Sequence, residues 1–344
     1  MPVVHNKRKW KVNMGSVLVI AEAGVNHNGD LAIAKKLIDA AHACGADVVK
    51  FQTARVSSLV SASAKMADYQ KQNIGKEESQ KEMLEKLLLP FEDFVVLKNY
   101  CDKVGIAFLS TPFDIESIHF LDSMVPLWKV PSGEITNYPY LCEIGKTKKK
   151  VILSTGMSSL DEVEAAVRVL REHGTTDITL LQCTTEYPAP VEEVNLRAMQ
   201  TMKDAFSVPV GYSDHTEGIG ISLAAVALGA TVIEKHFTLD KNMEGPDHKA
   251  SASVEELRSM IADIRRIEQA MGTGIKIPGT KESRNQSVAR KSIVALQPIK
   301  AGEIFTQENL TTKRPGDGVS PMLWNQIIGS RAKRDFAEDE KIEL

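Results

Sequence analysis

The stretch VLVIAEAGVNHNGDLAIAKKLIDAAHACGADVVKFQT, residues 17–53, decides the fold. An apolar, β-branched run (Val17–Ala21) is followed by a segment of helical period and then by a second such run (Val48–Phe51). In the segment Leu31–Cys44, Ile33, Leu37, Ile38 and Ala41 fall on one face of a helix. Asp30 can cap its first turn, and Gly45 can supply the left-handed residue that ends it.

Outward from this unit the same alternation continues. Further short runs occur at Ala107–Leu109, Trp128–Val130, Val151–Leu153, Thr179–Leu181, Val208–Gly211 and Thr231–Ile233, giving eight in all. Segments of helical pattern separate them, Leu160–His173 repeating the first design and Val254–Met271 following the last run. Eight βα units in this length predict an α/β fold of the (β/α)₈ TIM-barrel type rather than a doubly wound sheet. A 344-residue chain is long enough for about two domains. The boundaries predicted are an N-terminal extension over residues 1–15, the barrel over 16–272, a linker over 273–284 and a small β-rich module over 285–344.

Composition narrows the function classes. Apolar residues make up 43% of the chain and charged residues 25%, the balance of a globular protein with a substantial core. A net charge of −3 leaves no electrostatic footprint for nucleic acid or an acidic membrane. The cluster His5, Lys7, Arg8, Lys9 and Lys11 reads as a solvated arm. It leads into no signal-peptide core, and no run of about eighteen apolar residues suggests a membrane span. Cys44, Cys101, Cys142 and Cys183 share no CxxC spacing and read as reduced thiols, so a cytoplasmic location is expected.

In a (β/α)₈ barrel the active site lies at the C-terminal ends of the strands. Those ends supply Glu22; Lys50 and Gln52; Ser110 and Thr111; Lys129, Ser132 and Glu134; Ser154 and Thr155; Thr184 and Tyr187; Ser213, Asp214 and His215; then Glu234 and His236. Lys50 and Lys129 end apolar strands, so each needs an anionic partner, either an internal carboxylate (Glu22 or Glu134) or a small polyanion. The hydroxyls of Ser110, Thr111, Ser132, Ser154 and Ser213 suit a phosphate together with a carboxylate. There is no GxGxxG after the first run and no GxxxxGK[ST], so no nucleotide loop presents that phosphate. His215 and His236 end successive strands and would project side by side, as ligands of a divalent Lewis acid such as Mn²⁺ or as ordinary hydrogen-bonded residues. Glu234 is placed to support that centre from a second layer. A cradle of this kind beside a Lewis acid and the carboxylates Glu22 and Glu134 implies addition of an enol phosphate to a carbonyl.

The segments IAEAGVNHNGD, ADVVKFQT, FLSTPFD, WKVPSGE, ILSTGM, CTTEYPAP, GYSDHT and VIEKHFTLDKNMEGPDH, in this order, resemble the sialic acid synthase family, and the resemblance runs from about residue 16 to the end. It implies condensation of phosphoenolpyruvate with an open-chain N-acetylated hexose, with release of phosphate and dependence on Mn²⁺, Mg²⁺ and Co²⁺ being other candidates. It assigns His215 and His236 to the metal, and Lys50, Thr111, Lys129, Ser132, Ser154 and Ser213 to phosphoenolpyruvate. It assigns Glu22 and Glu134 to catalysis, and Gln52, Tyr187 and Asp247 to the amino sugar. N-acetylmannosamine, giving N-acetylneuraminate, is the first expectation. The alternative is 2,4-diacetamido-2,4,6-trideoxymannose, giving a legionaminic acid, because Thr184, Thr185 and Glu186 occupy a segment that differs among members taking different sugars.

Beyond Gly272–Lys281, the sequence RKSIVALQPIKAGEIFTQENLTTKRPGDGVSP breaks into short runs divided by Lys-Ala-Gly and Pro-Gly-Asp-Gly turns. It resembles the antifreeze-like (SAF) domain that ends the family. The resemblance implies a homodimer exchanging this module, with Arg314 reaching the N-acetyl group in the neighbour's site; by itself Arg314 reads as an exposed turn residue. Two readings from other classes stand beside the synthase. One is a metal-dependent barrel aldolase that does not use phosphoenolpyruvate; the other is a sugar-binding protein without turnover.

Overall fold

The computed structural model describes residues 16–61, 63–67, 70–71 and 79–343. The N-terminal extension, residues 1–15, lies outside the described residues. The chain divides into two compact units, one up to Gly272 and one from Thr273.

The first unit is the expected barrel. Its strands are β1 (Leu18–Gly24), β2 (Val48–Thr53), β3 (Ala107–Pro112), β4 (Leu127–Val130), β5 (Lys150–Ser154), β6 (Ile178–Cys183), β7 (Val210–Asp214) and β8 (Val232–His236). The ladder order β3-β2-β1-β8-β7-β6-β5-β4 is parallel throughout. β3 and β4 stand side by side and close the ring without ladder bonds. Nearly every strand residue is buried, as a sheet enclosed on one face by its own lumen and on the other by helices requires.

Most strands run one to three residues further at their C-terminal ends than their apolar runs predict. β1 takes in Glu22, β3 takes in Ser110 and Thr111, and β8 takes in Glu234 and His236. These polar residues end the hydrophobic pattern but not the backbone ladder. β7 starts two residues late, at Val210, just after Pro209, which has no N–H to give a ladder.

Helix Leu31–Cys44 is built as the sequence predicts. Asp30 accepts from the amides of Ala32 and Ile33, and Gly45 turns left-handed at φ 84°. The helices Leu160–Glu172 and Val254–Met271 each open with a capping box, Ser159 with Glu162 and Ser253 with Glu256. At the strand N-terminal ends, Asp47 accepts from the Val19 amide at 2.8 Å and pairs with Arg265 at 2.8 Å. These contacts tie the last helix of the first unit to the N-terminal ends of β1 and β2.

The second unit has less strand than its turn-rich sequence suggests. β9 (Ser292–Ala295) and β10 (Leu310–Lys313) pair antiparallel, and isolated bridges such as Ile299 with Phe336 tie in the remainder. Its own core gathers Ile293, Ile299, Phe305, Leu310, Ile327 and Phe336.

Candidate active site

Inward-facing residues at the C-terminal ends of seven of the eight strands, all but β6, form one polar network. Lys50 Nζ lies 2.6 Å from Glu22 Oε2 and 3.5 Å from Glu234 Oε2. Lys129 Nζ lies 3.3 Å from Glu234 Oε1. Lys50 also donates to Thr111 Oγ1 at 3.1 Å, Lys129 to Ser154 Oγ at 2.8 Å, and Ser213 Oγ to Glu234 at 3.0 Å. Gln52 Nε2 donates to Glu22 Oε1 at 3.3 Å. Eight of the predicted site residues, from seven strands, are thus within hydrogen-bond or ion-pair reach of one another.

Burial sets the protonation tendencies. It pushes the Glu22 carboxyl up to about 7 even with Lys50 alongside. For Glu234, Lys129 and Lys50 outweigh burial and hold the carboxyl at about 2. Burial works against the charge on both ammonium groups; for Lys50 the attraction of Glu22 and Glu234 prevails and raises its pKa, while for Lys129 burial prevails and lowers it. Lys129 is therefore the less well compensated cation.

The internal partner of Lys129 is Glu234, not Glu134. Glu134 stands in the 3₁₀ turn Ser132–Glu134, where its Oε2 accepts from Asn137 Nδ2 at 2.6 Å, and burial raises its pKa. Glu234, expected to support the histidines from behind, is instead committed to the two lysines and Ser213. Ser110 and Asp214 also depart from the expected convergence. Strand alternation turns Ser110 to a 2.7 Å hydrogen bond with Thr53 and Asp214 to the outer side of the barrel.

A second cluster adjoins the first. The rings of His215 and His236 are 5.7 Å apart, with Tyr187 stacked on His215 at 4.1 Å and edge-on to His236 at 5.6 Å. Asp247, in the loop after β8, has Oδ2 3.9 Å from His236 Nδ1, and burial raises its carboxyl to about 6. The two clusters meet at Gly24, where β1 bulges against β2. A Cβ there would lie 3.3 Å from both Glu22 Oε1 and His236 Nδ1.

The donor set fits a divalent cation. His236 Nδ1 is buried with no hydrogen-bond partner. His215 Nδ1 is 2.6 Å from the Thr184 carbonyl oxygen, which leaves Nε2 to face a ligand. No group of three or more His, Cys, Asp or Glu side chains suited to a metal occurs among the described residues. Water and substrate oxygens would complete the shell around the two imidazoles.

Sequence reasoning missed Cys183, which it read as an ordinary buried thiol. Its Sγ lies 3.6 Å from Ser132 Oγ and 3.8 Å from His215 Nδ1. Its position as the last residue of β6 was the available signal. Ser132 also accepts from the Gly156 amide at 2.9 Å. Lys235, between Glu234 and His236, was passed over as well. Arg314 is exposed in the second unit, where its Nε donates to the Ala289 carbonyl at 3.0 Å.

The fold and this distribution of charge define a (β/α)₈ barrel that holds two buried cations among carboxylates at the C-terminal ends of its strands. Comparison with known proteins takes the assignment further. The NeuB family model matches residues 37–276 and the SAF domain model residues 290–343. The chain belongs to the NeuB family and is a synthase of that family with a C-terminal SAF domain. It is 55% identical to the N,N'-diacetyllegionaminic acid synthase of Campylobacter jejuni, over 96% of this chain and 99% of the relative. The enzyme of the same name from Legionella pneumophila is 46% identical over 93% of this chain and 91% of the relative. Among solved structures, the N-acetylneuraminic acid synthetase of Leptospira borgpetersenii is 34% identical, with a TM-score of 0.69, covering 78% of this chain and 90% of that one. No helix among the described residues is long and apolar enough to cross a membrane.

Proposed function

We propose that the protein condenses phosphoenolpyruvate with 2,4-diacetamido-2,4,6-trideoxymannose and water to give N,N'-diacetyllegionaminic acid and inorganic phosphate. The observation that carries the choice of sugar is the 55% identity, over nearly the full length of both chains, to a synthase of that name. This favours the diacetamido sugar over N-acetylmannosamine, the first expectation from the sequence. The reading with N-acetylmannosamine draws its support from the Leptospira structure, at the lower identity of 34%.

In this reading Lys50 and Lys129 bind the phosphate and carboxylate of phosphoenolpyruvate, helped by Thr111, Ser132, Ser154 and Ser213. Glu22 and Glu234 pair with Lys50, and Glu234 with Lys129, so both cations are fixed and desolvated in advance of the substrate. The enol carbon C3 of phosphoenolpyruvate bonds to the aldehyde carbon of the open-chain sugar. Water adds at C2, and the C2–O bond to phosphate breaks. Glu22, with a pKa near neutrality, is suited to move a proton at that stage, and Glu134 is the second candidate. Gln52, Tyr187 and Asp247 border the space for the amino sugar. His215 and His236 would hold Mn²⁺, or Mg²⁺ or Co²⁺, which supplies Lewis acidity toward the aldehyde oxygen. Arg314 would donate to an acetamido carbonyl in the site of the neighbouring subunit of a homodimer.

The test is product mass spectrometry and phosphate release with phosphoenolpyruvate and a panel of N-acetylated hexoses, after chelation and with Mn²⁺ restored. The diacetamido sugar is expected to give a phosphate-free nine-carbon acid, with no turnover in excess chelator. Preference for N-acetylmannosamine would move the assignment to N-acetylneuraminate. Turnover without phosphoenolpyruvate would move it to an aldolase.

A further inference from the structure

We propose that the buried ion pair Asp214–Lys235, outside the catalytic network, is a positioning device that sets the spacing of His215 and His236. The proposal rests on the reading that those histidines share a divalent cation. Asp214 immediately precedes His215, Lys235 immediately precedes His236, and the two are cross-strand partners in the β7–β8 register. Ser213 and Glu234 on the same strands bond to each other in the mouth, so alternation turns Asp214 and Lys235 to the opposite side. There Nζ and Oδ2 are 3.0 Å apart, with side-chain exposures of 1% and 0%.

Every acceptor position of Asp214 is used. Oδ1 accepts from the Thr216 amide at 2.8 Å and from Thr216 Oγ1 at 2.7 Å. Oδ2 accepts from Ser222 Oγ at 2.6 Å as well as from Lys235. Lys235 in turn donates to the Thr216 carbonyl at 2.9 Å. Residues 214 and 216 are thereby held on either side of His215 by a group anchored one residue before His236. The backbones that carry the two imidazoles cannot separate without breaking this set of bonds.

A buried pair is a costly way to fill space, since apolar side chains of similar volume often serve stability as well or better. What apolar contacts do not provide is direction, and a carboxylate saturated by four donors does. Tyr187, stacked on His215, can fix a ring plane but not the distance between two strands.

The experiment measures Mn²⁺ affinity by calorimetry, the electron paramagnetic resonance spectrum of bound Mn²⁺, and the melting temperature, on the full-length chain. The variants are Thr216→Val, Ser222→Ala and the paired replacement Asp214→Leu with Lys235→Met. We expect the hydroxyl variants to weaken Mn²⁺ binding several-fold and the paired variant about tenfold or more, with an altered spectrum. Melting temperatures should stay near that of the parent protein. Should the paired variant fail to fold, the two hydroxyl variants decide the matter. Affinity within about twofold of the parent in the folded variants overturns the positioning role, because loss of groups that orient metal ligands typically costs about 10–100-fold in affinity. Absence of Mn²⁺ binding by the parent protein overturns the two-histidine site itself, a separate failure.

Discussion

Lys129 is where the resting charge balance is weakest. It is buried, shares Glu234 with Lys50, and has its pKa lowered by desolvation. An incoming anion gains most from this cation, so Lys129→Met should raise the Michaelis constant for phosphoenolpyruvate and leave that for the sugar nearly unchanged. A charge-assisted contact is worth about 1.5–3 kcal/mol, or about ten- to a hundredfold. Impaired sugar binding instead would assign Lys129 to the other substrate. Glu22 makes a second prediction, read in pH. Its carboxyl rises from 4.5 to about 7 on folding, so the native state holds the extra proton in that window. The unfolded state binds fewer protons there, and stability falls as pH rises between these values. Asp247, raised from 3.8 to about 6, acts in the same sense, whereas Glu234, depressed to about 2, loses its contribution only as pH falls below 4.5. Glu22→Gln should flatten the slope of melting temperature against pH between 4.5 and about 7 and remove most turnover. An unchanged slope would show that Glu22 does not titrate there. At this scale the sequence reveals which residues end strands but not whom they meet. The choice of Glu234 over Glu134 as partner of Lys129 depends on which strands face each other across the closed lumen, and the sequence of either strand alone does not contain that arrangement.

Strand ends are where the sequence reads shortest. Hydrophobic periodicity stops at the first polar residue, but the ladder continues, because inward polar groups find partners across the lumen rather than in solvent. The phase of alternation is lost at the same point, which is why Ser110 reads as a mouth residue although it turns to Thr53. Helices were more legible: Asp30, Gly45 and the first-turn acids Asp161 and Glu162 mark ends through local chemistry that needs no tertiary partner. The β1 bulge at Gly24 was not legible. Its φ of +54° and its closeness to His236 Cε1, 3.2 Å from an added Cβ, arise only once β1 lies between β2 and β8. Gly24→Ala should cost about 1 kcal/mol of stability from the left-handed backbone. The larger effect should fall on metal affinity and turnover, since the methyl would crowd the space between Glu22 and His236. A variant with a lowered melting temperature but full turnover would show that this space is not used.

Taken whole, the chain separates the barrel and its buried charges from a module with its own core, and the proposed function asks Arg314 to connect them. A dimer pairing a Glu22→Ala subunit with an Arg314→Ala subunit tests the connection. If Arg314 serves its neighbour, one site in each mixed dimer keeps both residues, and a randomly reassorted mixture should recover about a quarter of the parent activity. No recovery, with mixed dimers verified by native mass spectrometry, would place Arg314 with its own barrel; activity near half of the parent's, with Arg314→Ala homodimers fully active, would place it outside the reaction. The barrel was legible at this scale because each βα unit repeats one local grammar. A module exchange would not be, since nothing in the order of residues says which copy of a chain a module faces.

The seam of the ring has its own consequence. β3 and β4 touch without a shared ladder, so the barrel is a laced cylinder with one unlaced edge. Thr111 stands on one bank of that edge and Lys129 on the other. A dianion held by both would act as a clasp, and the amides of Leu127–Val130 should then exchange with deuterium more slowly in its presence than without it. Protection confined to β7 and β8 would mean that the ligand closes nothing at the seam, and that the cylinder breathes there whether occupied or empty.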